Sequence, residues 1–590
     1  MLPSWDALTT EAMELLWRAA VRPLSAGMVR AMARGLFSRS WQRFERAAAD
    51  PAAAQAARLR QLVDANRRTA FGREHGFDRI RTLADFQRRV PVRSYDELEP
   101  WIARAVAGEP NVLTAQPIVY FARTSGTTGA AKSIPITAAF LDEYRHSRRV
   151  WTRQVAQAFP GLVRGHVLTV RSTRTEGTTP GGVAYGPLSV ALGNRDPGAA
   201  GRLGALLRPI ERIPPEVFAI GDYRSRLYLL LRLALPLRIS LLAAINPSTL
   251  ALLARKLDAW AAELIADCRR GGLNPALQVE PELRAALTRH LTPAPRAAER
   301  LQLSLAAHGR VRPTELWPDL CGLLCWKAGS AAFYLSQLDD WFGDLPVMDY
   351  CYAATEGSFT VVMSPEGSGG VAAAAGHLLE FVPEDASYDA PDAALPLDRL
   401  ETGRRYWVVI SAGNGLYRYR MDDLIEVTGR WRRAPELVFL HKGKHILSYT
   451  GEKLSESQVV VAMQRAQRRT GIRLVGFCAS AVAEAALPIY TIAVEPDQPL
   501  PAERWQQLLQ ACEQELGQAN IEYHAKRRSG RLAPPQLWLV ADGAFERWRK
   551  RRLAAGATDA QVKLPQLTGD VEALRRLGVI ATVAWQEGLE

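Results

Sequence analysis

A buried strand that ends in a loop of glycines and hydroxyl side chains constrains the fold of this chain more than any other feature. The run IVYFAR (118–123) is rich in β-branched and aromatic residues, as buried strands are. The residues that follow, TSGTTGAAK (124–132), combine Thr and Ser hydroxyls with glycines and a lysine. A strand followed by such a loop approaches a ligand closely, and phosphate is the commonest one, since backbone N–H groups and hydroxyls donate to its oxygens. The stretch therefore predicts nucleotide chemistry at the end of a strand.

The loop nearly matches the phosphate-binding loop of P-loop ATPases, G-x-x-x-x-G-K-[ST]. Gly126 to Ser133 fits this pattern except that Ala131 stands where the second glycine must be. Because the backbone conformation of that glycine forms part of the phosphate cradle, the substitution argues against a P-loop ATPase. Taken alone, a run of Ser, Thr and Gly is also typical of surface turns, so further motifs must decide its chemistry.

Length and composition predict a globular protein of two or more domains. A chain of 590 residues exceeds a single ordinary core, and its 48% hydrophobic and 23% charged residues exclude a disordered or collagen-like protein. The formal net charge of +13 is modest for 65.1 kDa, and most of the basic residues are arginines scattered along helical segments. We therefore expect a solvated basic surface, including the run ERWRKRR (546–552), and no nucleic-acid partner.

Cysteines and apolar runs predict a cytoplasmic protein without a membrane span. The six cysteines show neither a disulfide framework nor zinc-site spacing, so we expect reduced, buried thiols. No signal peptide is visible near the N-terminus. The most apolar stretch, LYLLLRLALPLRISLLAAI (227–245), contains Arg232, Pro236 and Arg238, and two central arginines make a membrane span costly. We expect buried helices there instead.

The N-terminal part of the chain has helical patterns up to about residue 115. Within it, Ser94 followed by Glu97 predicts a capping box at the start of a helix. A further helix is expected from Asn246-Pro247, where Asn246 caps and Pro247 takes the first helical position, until Gly271 stops it.

Strand signals dominate from about 320 to 440, where apolar residues alternate over short segments. Beyond them, helices at about 455–470 and 502–516 alternate with strands, which is typical of a small α/β domain. We therefore predict a large domain over 1–440, with the nucleotide and acid sites, and a small domain over 441–590.

Two further motifs supply carboxylates. YCYAATEG (350–357) places the hydroxyl of Thr355 directly before Glu356, a pair that can serve a phosphate oxygen and Mg²⁺. YRYRMDD (417–423) ends in two acids, and an Asp at a strand end can accept both hydroxyls of a ribose. Singly, Glu356 is more often a surface acid, and Asp423 more often a helix cap or salt-bridge partner. In this order, behind the loop, the motifs indicate an ATP site.

The three motifs resemble those of adenylate-forming enzymes, and specifically of the Gretchen Hagen family of auxin-responsive acyl-acid amido synthetases and its bacterial relatives. TSGTTGAAK is similar to the family's first motif with one intervening position fewer, YAATE matches the second, and GLYRYRMDD matches the third except that Asp422 replaces a glycine. The resemblance runs from the helical N-terminus to QVKLP (561–565). It implies an α/β protein: a large N-terminal adenylate-forming domain with helices and mixed β-sheets, and a smaller, mobile α/β C-terminal domain that acts as a lid.

The resemblance also implies a role for each matching residue, with ATP and Mg²⁺ as cofactors. The ATP phosphates would be held by the loop residues Thr124, Ser125, Gly126, Thr127, Thr128 and Gly129, with Lys132 adding positive charge. The adenine pocket would be lined by Ala328, Gly329, Ser330 and Tyr352. The remaining nucleotide contacts would be made by Thr355 at the α-phosphate, Glu356 at Mg²⁺, Asp423 at the ribose, and Arg420.

The resemblance also implies which residues take part in the motion of the lid. A hinge follows the third motif in the family, and Gly443 can absorb the large change in backbone conformation that a hinge requires. The rotation would bring Lys563 over the phosphates as a catalytic residue. Gln566 follows Pro565 where the family commonly has an arginine.

The resulting hypothesis is a ligase that joins a carboxylic acid to an amine through an acyl-adenylate, and an amino acid is the expected amine. An acyl-CoA synthetase shares the first half-reaction and is the alternative, and a non-enzymatic basic scaffold ranks last because it has no use for Glu356 and Asp423 together. No covalent nucleophile is needed, and the sequence shows no G-x-S-x-G or catalytic Cys/His signature. We expect His377 and His441 to be structural, and take a monomer as the default.

Overall fold

A computed structural model describes residues 22–124, 132–170, 175–193, 213–388, 390, 393–443, 446–447, 449–450, 452, 454–482, 487–528, 532–554 and 564–586. The chain divides into two compact units. The first comprises Met1–Lys327, Tyr334–Met421 and Ile425–Val438, and the second comprises Ala328–Phe333, Asp422–Leu424 and Phe439–Glu590. Over the described ranges, every helix is too short or too polar to cross a membrane.

The first unit begins with helices, as predicted for the part of 1–115 that the structure describes. Their bounds are Ala26–Leu36, Ser38–Ala49, Pro51–Asn66, Ala70–Glu74, Leu83–Arg89 and Tyr95–Val106, with a 3₁₀ turn at Phe77–Arg79. The capping box is confirmed, because the Ser94 hydroxyl accepts from the Glu97 N–H while the Glu97 carboxylate accepts from the Ser94 N–H at 2.7 Å. This reciprocal pair satisfies two N–H groups that a helix start leaves without partners.

The later helices of the first unit are Ala138–Ala158, Leu188–Gly193, Tyr223–Ala234, Pro247–Ala259, Ala261–Arg270, Pro281–Thr288, Pro295–His308, Pro313–Leu316 and Leu335–Phe342. Shorter 3₁₀ turns lie at Pro160–Arg164, Pro215–Ala219, Gly329–Tyr334 and Leu397–Arg399. The helix predicted from Asn246 is confirmed, with a break at Trp260, and it ends at Gly271, whose φ is +74°. Its ψ of −177° places Gly271 in a backbone region that is essentially restricted to glycine, so a glycine ends the helix here.

The apolar stretch 227–245 corrects one expectation. Its first half is the end of a buried helix, Tyr223–Ala234, but its second half is the strand Ile239–Ala244, so the prediction of helices throughout was wrong. Pro236 cannot continue the helix, and every residue of the strand is buried. A strand covered on both faces is apolar throughout and lacks the alternation that identifies a strand in sequence.

Three sheets of the first unit position the motifs. One joins, in order, Lys132–Thr137, Ile118–Thr124, Ala184–Gly186 and Gly177–Thr178. A parallel sheet joins His166–Val170, Ile239–Ala244, Gly322–Leu324 and Val347–Met348. A two-stranded hairpin joins Ala353–Ala354 and Gly357–Ser358.

The largest sheet has seven strands, in the order Thr360–Val361, Gly370–Ala372, Ala434–Lys442, Tyr419–Trp431, Arg405–Ser411, Leu378–Pro383 and Leu395–Pro396. The N-terminal helices pack against residues that enter this sheet. Phe71 stacks on Tyr417 with 4.7 Å between ring centroids, and both side chains are fully buried. Burying a large aromatic side chain stabilises a fold by about 1.5–3 kcal/mol, so contacts of this kind hold the helices to the sheet.

The second unit is the small α/β fold that the strand–helix alternation predicts. Its main sheet has the order Leu474–Val482, Ile489–Pro496, Gln536–Val540 and Val579–Val583, and a short pair joins Ile446–Leu447 to Leu454–Ser455. Its helices are Glu456–Thr470, Ala502–Ala519, Ile521–Arg528, Ala544–Ala554 and Val571–Arg575. The assignment of the nucleotide and acid sites to 1–440 and of a lid to 441–590 stays a prediction.

All six cysteines are free, and five are buried while Cys321 is partly exposed. Burial raises the pKa of Cys351 to about 12 and that of Cys321 to about 11.

Candidate active site

The predicted phosphate loop connects two strands that pair with each other. In the antiparallel register of Ile118–Thr124 and Lys132–Thr137, Thr124 lies opposite Lys132. The first and last residues of the motif are therefore neighbours across the strands, although the sequence separates them. Ser125, Gly126, Thr127, Thr128 and Gly129 lie outside the described residues, so their phosphate contacts stay predictions.

Lys132 is supported by two tyrosines. Its Nζ donates to the Tyr419 hydroxyl at 3.2 Å and lies 5.0 Å from the ring centroid of Tyr95. The Tyr95 hydroxyl in turn accepts from the Ser133 N–H at 2.8 Å, and burial raises the pKa of Tyr95. An ammonium group over an aromatic ring is stabilised by the ring quadrupole. The two rings thus hold the positive charge of Lys132 at the end of the loop, and its role at the phosphates stays a prediction.

Thr355 and Glu356 are the two turn residues of a tight hairpin. Gly357 pairs with Ala354 and Ser358 with Ala353, which leaves only Thr355 and Glu356 between the strands. The Glu356 side chain is not a surface acid, because the residue is only 7% exposed. Within the described residues its carboxylate has no hydrogen-bond or ion-pair partner. A carboxylate with no protein partner is available to bind a cation.

Tyr352 lies just before the hairpin and is held by stacking. Its ring stacks on Phe359 with 4.3 Å between centroids, and its N–H donates to the Thr360 hydroxyl at 2.9 Å. The preceding Cys351 has a φ of +78°, and its carbonyl accepts from the indole N–H of Trp326 at 3.1 Å. Non-glycine residues in this conformation cost about 1–3 kcal/mol and concentrate at functional sites. Sequence reasoning missed this strain, since nothing in the residue type of Cys351 indicates it.

The segment Ala328–Phe333 belongs to the second unit. Gly329 has a φ of +60°, and a Cβ there would lie 2.8 Å from the Phe439 ring, so only glycine fits. Ala328 is half-buried, and Ser330 lies in the 3₁₀ turn Gly329–Tyr334, although its side chain is outside the described part. The predicted adenine contacts of these residues stay untested.

Asp423 also lies in the second unit, where it forms an ion pair. Its Oδ1 is 2.9 Å from the Lys442 Nζ, and the residue is almost fully buried. Sequence reasoning considered a salt bridge for Asp423 but did not identify Lys442, which is 19 residues away. The ion pair holds the Asp423 carboxylate in place beside a positive charge in the second unit.

Asp422, the residue that replaces a glycine of the family motif, adopts the conformation that favours glycine. Its φ is +54°, and its carbonyl accepts from the Gly443 N–H at 2.6 Å. Asp is among the few residue types that tolerate the left-handed region, so the turn before Asp423 forms without the glycine. The hydrogen bond also fixes the start of the predicted hinge.

Arg420 lies in the first unit, on the strand Tyr419–Trp431. Its guanidinium carbon is 5.1 Å from the ring centroid of Tyr388, and its N–H donates to the Arg93 carbonyl at 2.8 Å. Its predicted cofactor contact stays a prediction.

Lys563 lies outside the described residues, but the segment that follows it is anchored. The Gln566 N–H donates to Glu456 Oε1 at 2.7 Å, and the Gln566 side-chain amide donates to the Phe477 carbonyl at 3.1 Å. Ala479 pairs with the same segment through two backbone hydrogen bonds. The residue that departs from the family pattern therefore serves as a neutral buried anchor in the second unit.

His377 is a satisfied core histidine, as predicted, but its contacts reach the motif. It is fully buried, its Nδ1 lies 2.9 Å from Glu143 Oε2, and the Ser358 N–H donates to its Nε2 at 3.1 Å. Sequence reasoning did not identify Glu143 at all. It stands 234 residues from His377 in an otherwise unremarked helix, so no local signal indicates it.

Comparison with known proteins shows one family along most of the chain. The model of the GH3 family N-terminal domain matches residues 40–347, that of the GH3 family central domain matches 370–442, and that of the GH3 family C-terminal domain matches 457–572. Among solved structures, the GH3.15 acyl acid amido synthetase superposes with a TM-score of 0.79 at 21% identity, covering 92% of this chain and 97% of that one. At that identity the likeness shows that the two chains share a fold.

Two curated relatives are similar over nearly their whole length. The indole-3-acetic acid-amido synthetase GH3.8 of Oryza sativa subsp. indica is 27% identical over 545 residues, which is 86% of this chain and 87% of the relative. The jasmonoyl--L-amino acid synthetase JAR4 of Nicotiana attenuata is 24% identical over 545 residues, which is 90% of this chain and 93% of the relative.

Proposed function

This chain belongs to the GH3 family, and from that premise we propose that it is an ATP-dependent acyl-acid amido synthetase. It activates a carboxylic acid as an acyl-adenylate and transfers the acyl group to an amine, an amino acid in our proposal, with release of AMP. The observation that carries the proposal is the hairpin turn that presents Thr355 beside Glu356, a residue only 7% exposed whose carboxylate has no partner in the described part of the chain. The names of the relatives, which describe synthetases that join acids to amino groups, support it.

The first half-reaction needs stabilisation of negative charge and no protein nucleophile. A carboxylate oxygen attacks the α-phosphorus of ATP, a new P–O bond forms, and the bond to the β-phosphate oxygen breaks to release pyrophosphate. Charge builds up on the phosphate oxygens during this step, so cations and oriented donors provide the catalysis. Lys132, Thr124 and the loop residues 125–129 supply them at the phosphates, and the Thr355 hydroxyl does so at the α-phosphate.

Glu356 fits a magnesium ligand. Mg²⁺ is usually bound by one or two carboxylates together with substrate phosphates and water, so a cage of several protein carboxylates is not required. The carboxylate of Glu356, beside a hydroxyl in a two-residue turn, is therefore enough as the protein's own ligand to the ion. When bound, the ion neutralises charge on the phosphate oxygens.

The remaining groups of the proposal are Asp423, Gly329, Lys563 and Gly443. Asp423, which pairs with Lys442, accepts the ribose hydroxyls, and Gly329 lines the adenine pocket. Lys563 supplies positive charge to the adenylation step, and Gly443 is the hinge. In the second half-reaction the amine nitrogen attacks the acyl carbon, the C–N bond forms, the bond to AMP breaks, and the amine loses its proton to water.

The experiment is ATP–pyrophosphate exchange with Mg²⁺ and no acceptor, against a panel of aryl, indolyl and fatty acids. Exchange with any of these acids in wild type, and its loss in Glu356→Gln, would support adenylation and name the donor class. A folded protein that binds ATP but exchanges with none of a broad panel would contradict the proposal.

Acceptor dependence then separates amide formation from thioester formation. We expect the acyl group to appear on an added amino acid and not on CoA, and the reverse would favour an acyl-CoA synthetase. Buried, free cysteines support a reducing compartment, so we place the protein in the cytoplasm, as a monomer.

A further inference from the structure

A buried histidine and a buried glutamate connect the core to the Thr355–Glu356 turn. His377 Nδ1 lies 2.9 Å from Glu143 Oε2, and Nε2 is the acceptor of the Ser358 N–H at 3.1 Å. A carboxylate has no proton to donate and a backbone N–H has no lone pair to offer. The partners therefore assign the proton to Nδ1 and leave Nε2 unprotonated. Only this neutral tautomer satisfies both neighbours.

The ring acts on the two residues that follow Glu356. Ser358 belongs to the returning strand of the hairpin, opposite Ala353. Gly357 is close to the same ring: a Cβ built on it would lie 3.0 Å from His377 Cδ2. The backbone that leaves the turn thus lies beside the Cδ2–Nε2 edge of the imidazole and is hydrogen-bonded to it. Any shift of the ring moves the backbone that determines where Glu356 points.

Glu143 is itself fixed from two further directions. Its Oε2 also accepts from the Gly413 N–H at 3.1 Å, and its Oε1 forms an ion pair with Arg58. Burial opposes ionisation, but the hydrogen bond from His377 and the charge of Arg58 outweigh it and hold the pKa of Glu143 below its ordinary value. The residue is thus an ionised, fully used hydrogen-bond acceptor in the core.

The peptide around His377 is held as well. The Gln55 side-chain amide donates to the His377 carbonyl at 2.9 Å and to the Ala374 carbonyl at 2.7 Å, while its oxygen accepts from the Leu379 N–H at 2.8 Å. Both the backbone and the ring of His377 are therefore fixed by buried polar contacts. Such fully satisfied networks rigidify a core and specify one geometry.

We propose that Glu143 and His377 are positioning residues that fix the Thr355–Glu356 turn in the geometry that binds Mg²⁺–ATP. The inference rests on the proposed function for the ligand and on contacts within the first unit for the mechanism. Neither residue touches the nucleotide in this account. Both act through the Ser358 N–H and the Gly357 backbone.

Two amide variants of His377 separate this role from general stability. In His377→Gln the longer side chain brings an amide oxygen to the position of Nε2, where it accepts from Ser358. In His377→Asn the shorter side chain reaches Glu143 but leaves the Ser358 N–H without an acceptor. His146→Asn is the control, because His146 is a buried histidine on the same helix as Glu143 and forms no hydrogen bond with the turn in the described structure.

The first readout is hydrogen exchange of the backbone amides of 353–360, measured by mass spectrometry without nucleotide. The second is calorimetric ATP binding titrated with Mg²⁺. We expect His377→Asn to lose protection in the turn and to need about 10- to 100-fold more Mg²⁺, the range for partners that orient metal ligands. The Mg²⁺ concentration that His377→Gln and His146→Asn require for ATP binding should stay within about threefold of the wild-type value.

Three results would overturn the inference. Unchanged exchange in a folded His377→Asn would show that the ring does not hold the turn. Faster amide exchange in His377→Asn with an unchanged Mg²⁺ requirement would mean that Glu143 and His377 have only a structural role. Equal losses of exchange protection and of Mg²⁺–ATP binding in His377→Asn and His146→Asn would indicate that both variants only lose stability. Because neither readout uses turnover, a wild type that binds Mg²⁺–ATP without pyrophosphate exchange would contradict the proposed function and leave this inference standing.

Discussion

Gly357→Ala tests how tightly the core encloses the Thr355–Glu356 turn. Gly357 has no Cβ, and one added there would lie 2.6 Å from Ile410 Cδ1 and 3.0 Å from His377 Cδ2. Carbon atoms in contact normally lie about 3.5–4.0 Å apart, so the methyl group would overlap both neighbours. Ile410 and His377 are both fully buried, so neither side chain can move away into solvent.

The expected loss in the free energy of unfolding is about 2 kcal/mol. Overpacking a well-filled core costs about 1–3 kcal/mol, and two close contacts with immobile partners place this site within that range. The ordinary gain from replacing glycine, up to about 1 kcal/mol through lower entropy of the unfolded chain, does not offset it. Pushing His377 away would also lengthen its hydrogen bond from Ser358, so Mg²⁺–ATP binding should weaken in parallel.

Urea unfolding followed by fluorescence measures the effect, with Gly35→Ala as the matched control. Gly35 lies in the helix Ala26–Leu36 and a Cβ there would meet nothing within 4 Å, so alanine should stabilise by about 0.5–1 kcal/mol. Both substitutions replace glycine by alanine, but we expect Gly357→Ala to lower the free energy of unfolding and Gly35→Ala to raise it. A Gly357→Ala protein as stable as Gly35→Ala would refute the packing argument and show that the core has room at the turn.

Three further predictions concern the acids, the lysine and pH. Glu356→Gln and Asp423→Asn should abolish pyrophosphate exchange while circular dichroism stays native, and unfolding of both variants would mean that the acids are structural. Lys563→Ala should slow exchange without abolishing ATP binding by calorimetry, so loss of binding would contradict its role. Burial lowers the pKa of His146 from 6.5 to about 4. Between these two pH values the unfolded state therefore binds more protons than the folded state. The free energy of unfolding should fall by about 3 kcal/mol as the pH drops from 6.5 to about 4. Denaturant unfolding at several pH values should show a shallower loss in His146→Asn, and an identical pH dependence would exclude this histidine as the cause.

Features that depend on nearby residues were predictable from the sequence. The Ser94–Glu97 capping box and the helix start at Asn246-Pro247 form as expected, because each involves groups within three residues of one another. The Thr355–Glu356 motif was likewise identified by its residue types. The position of this motif in a two-residue turn could not be predicted, because the turn results from the pairing of two strands that are too short to show an alternating pattern.

Features that depend on tertiary contacts were not predictable. Glu143 and His377 are 234 residues apart and meet only because a helix packs over the loop that precedes a strand. The left-handed conformation of Cys351 is imposed by its surroundings against its own preference. The strand Ile239–Ala244 was taken for a helix because burial on both faces removes the alternation by which strands are recognised.

The order of strands in the seven-stranded sheet determines when this chain can fold during synthesis. Its central strands, Tyr419–Trp431 and Ala434–Lys442, lie between strands that leave the ribosome earlier, Gly370–Ala372 and Arg405–Ser411. Gln55 likewise finds its partner at Ala374 only after 319 more residues have been added. At about 5–20 residues per second, the first helices wait on the order of tens of seconds with their apolar faces uncovered. Nascent chains of this protein should therefore depend on chaperones until residue 442 has emerged, and chains that terminate earlier should aggregate.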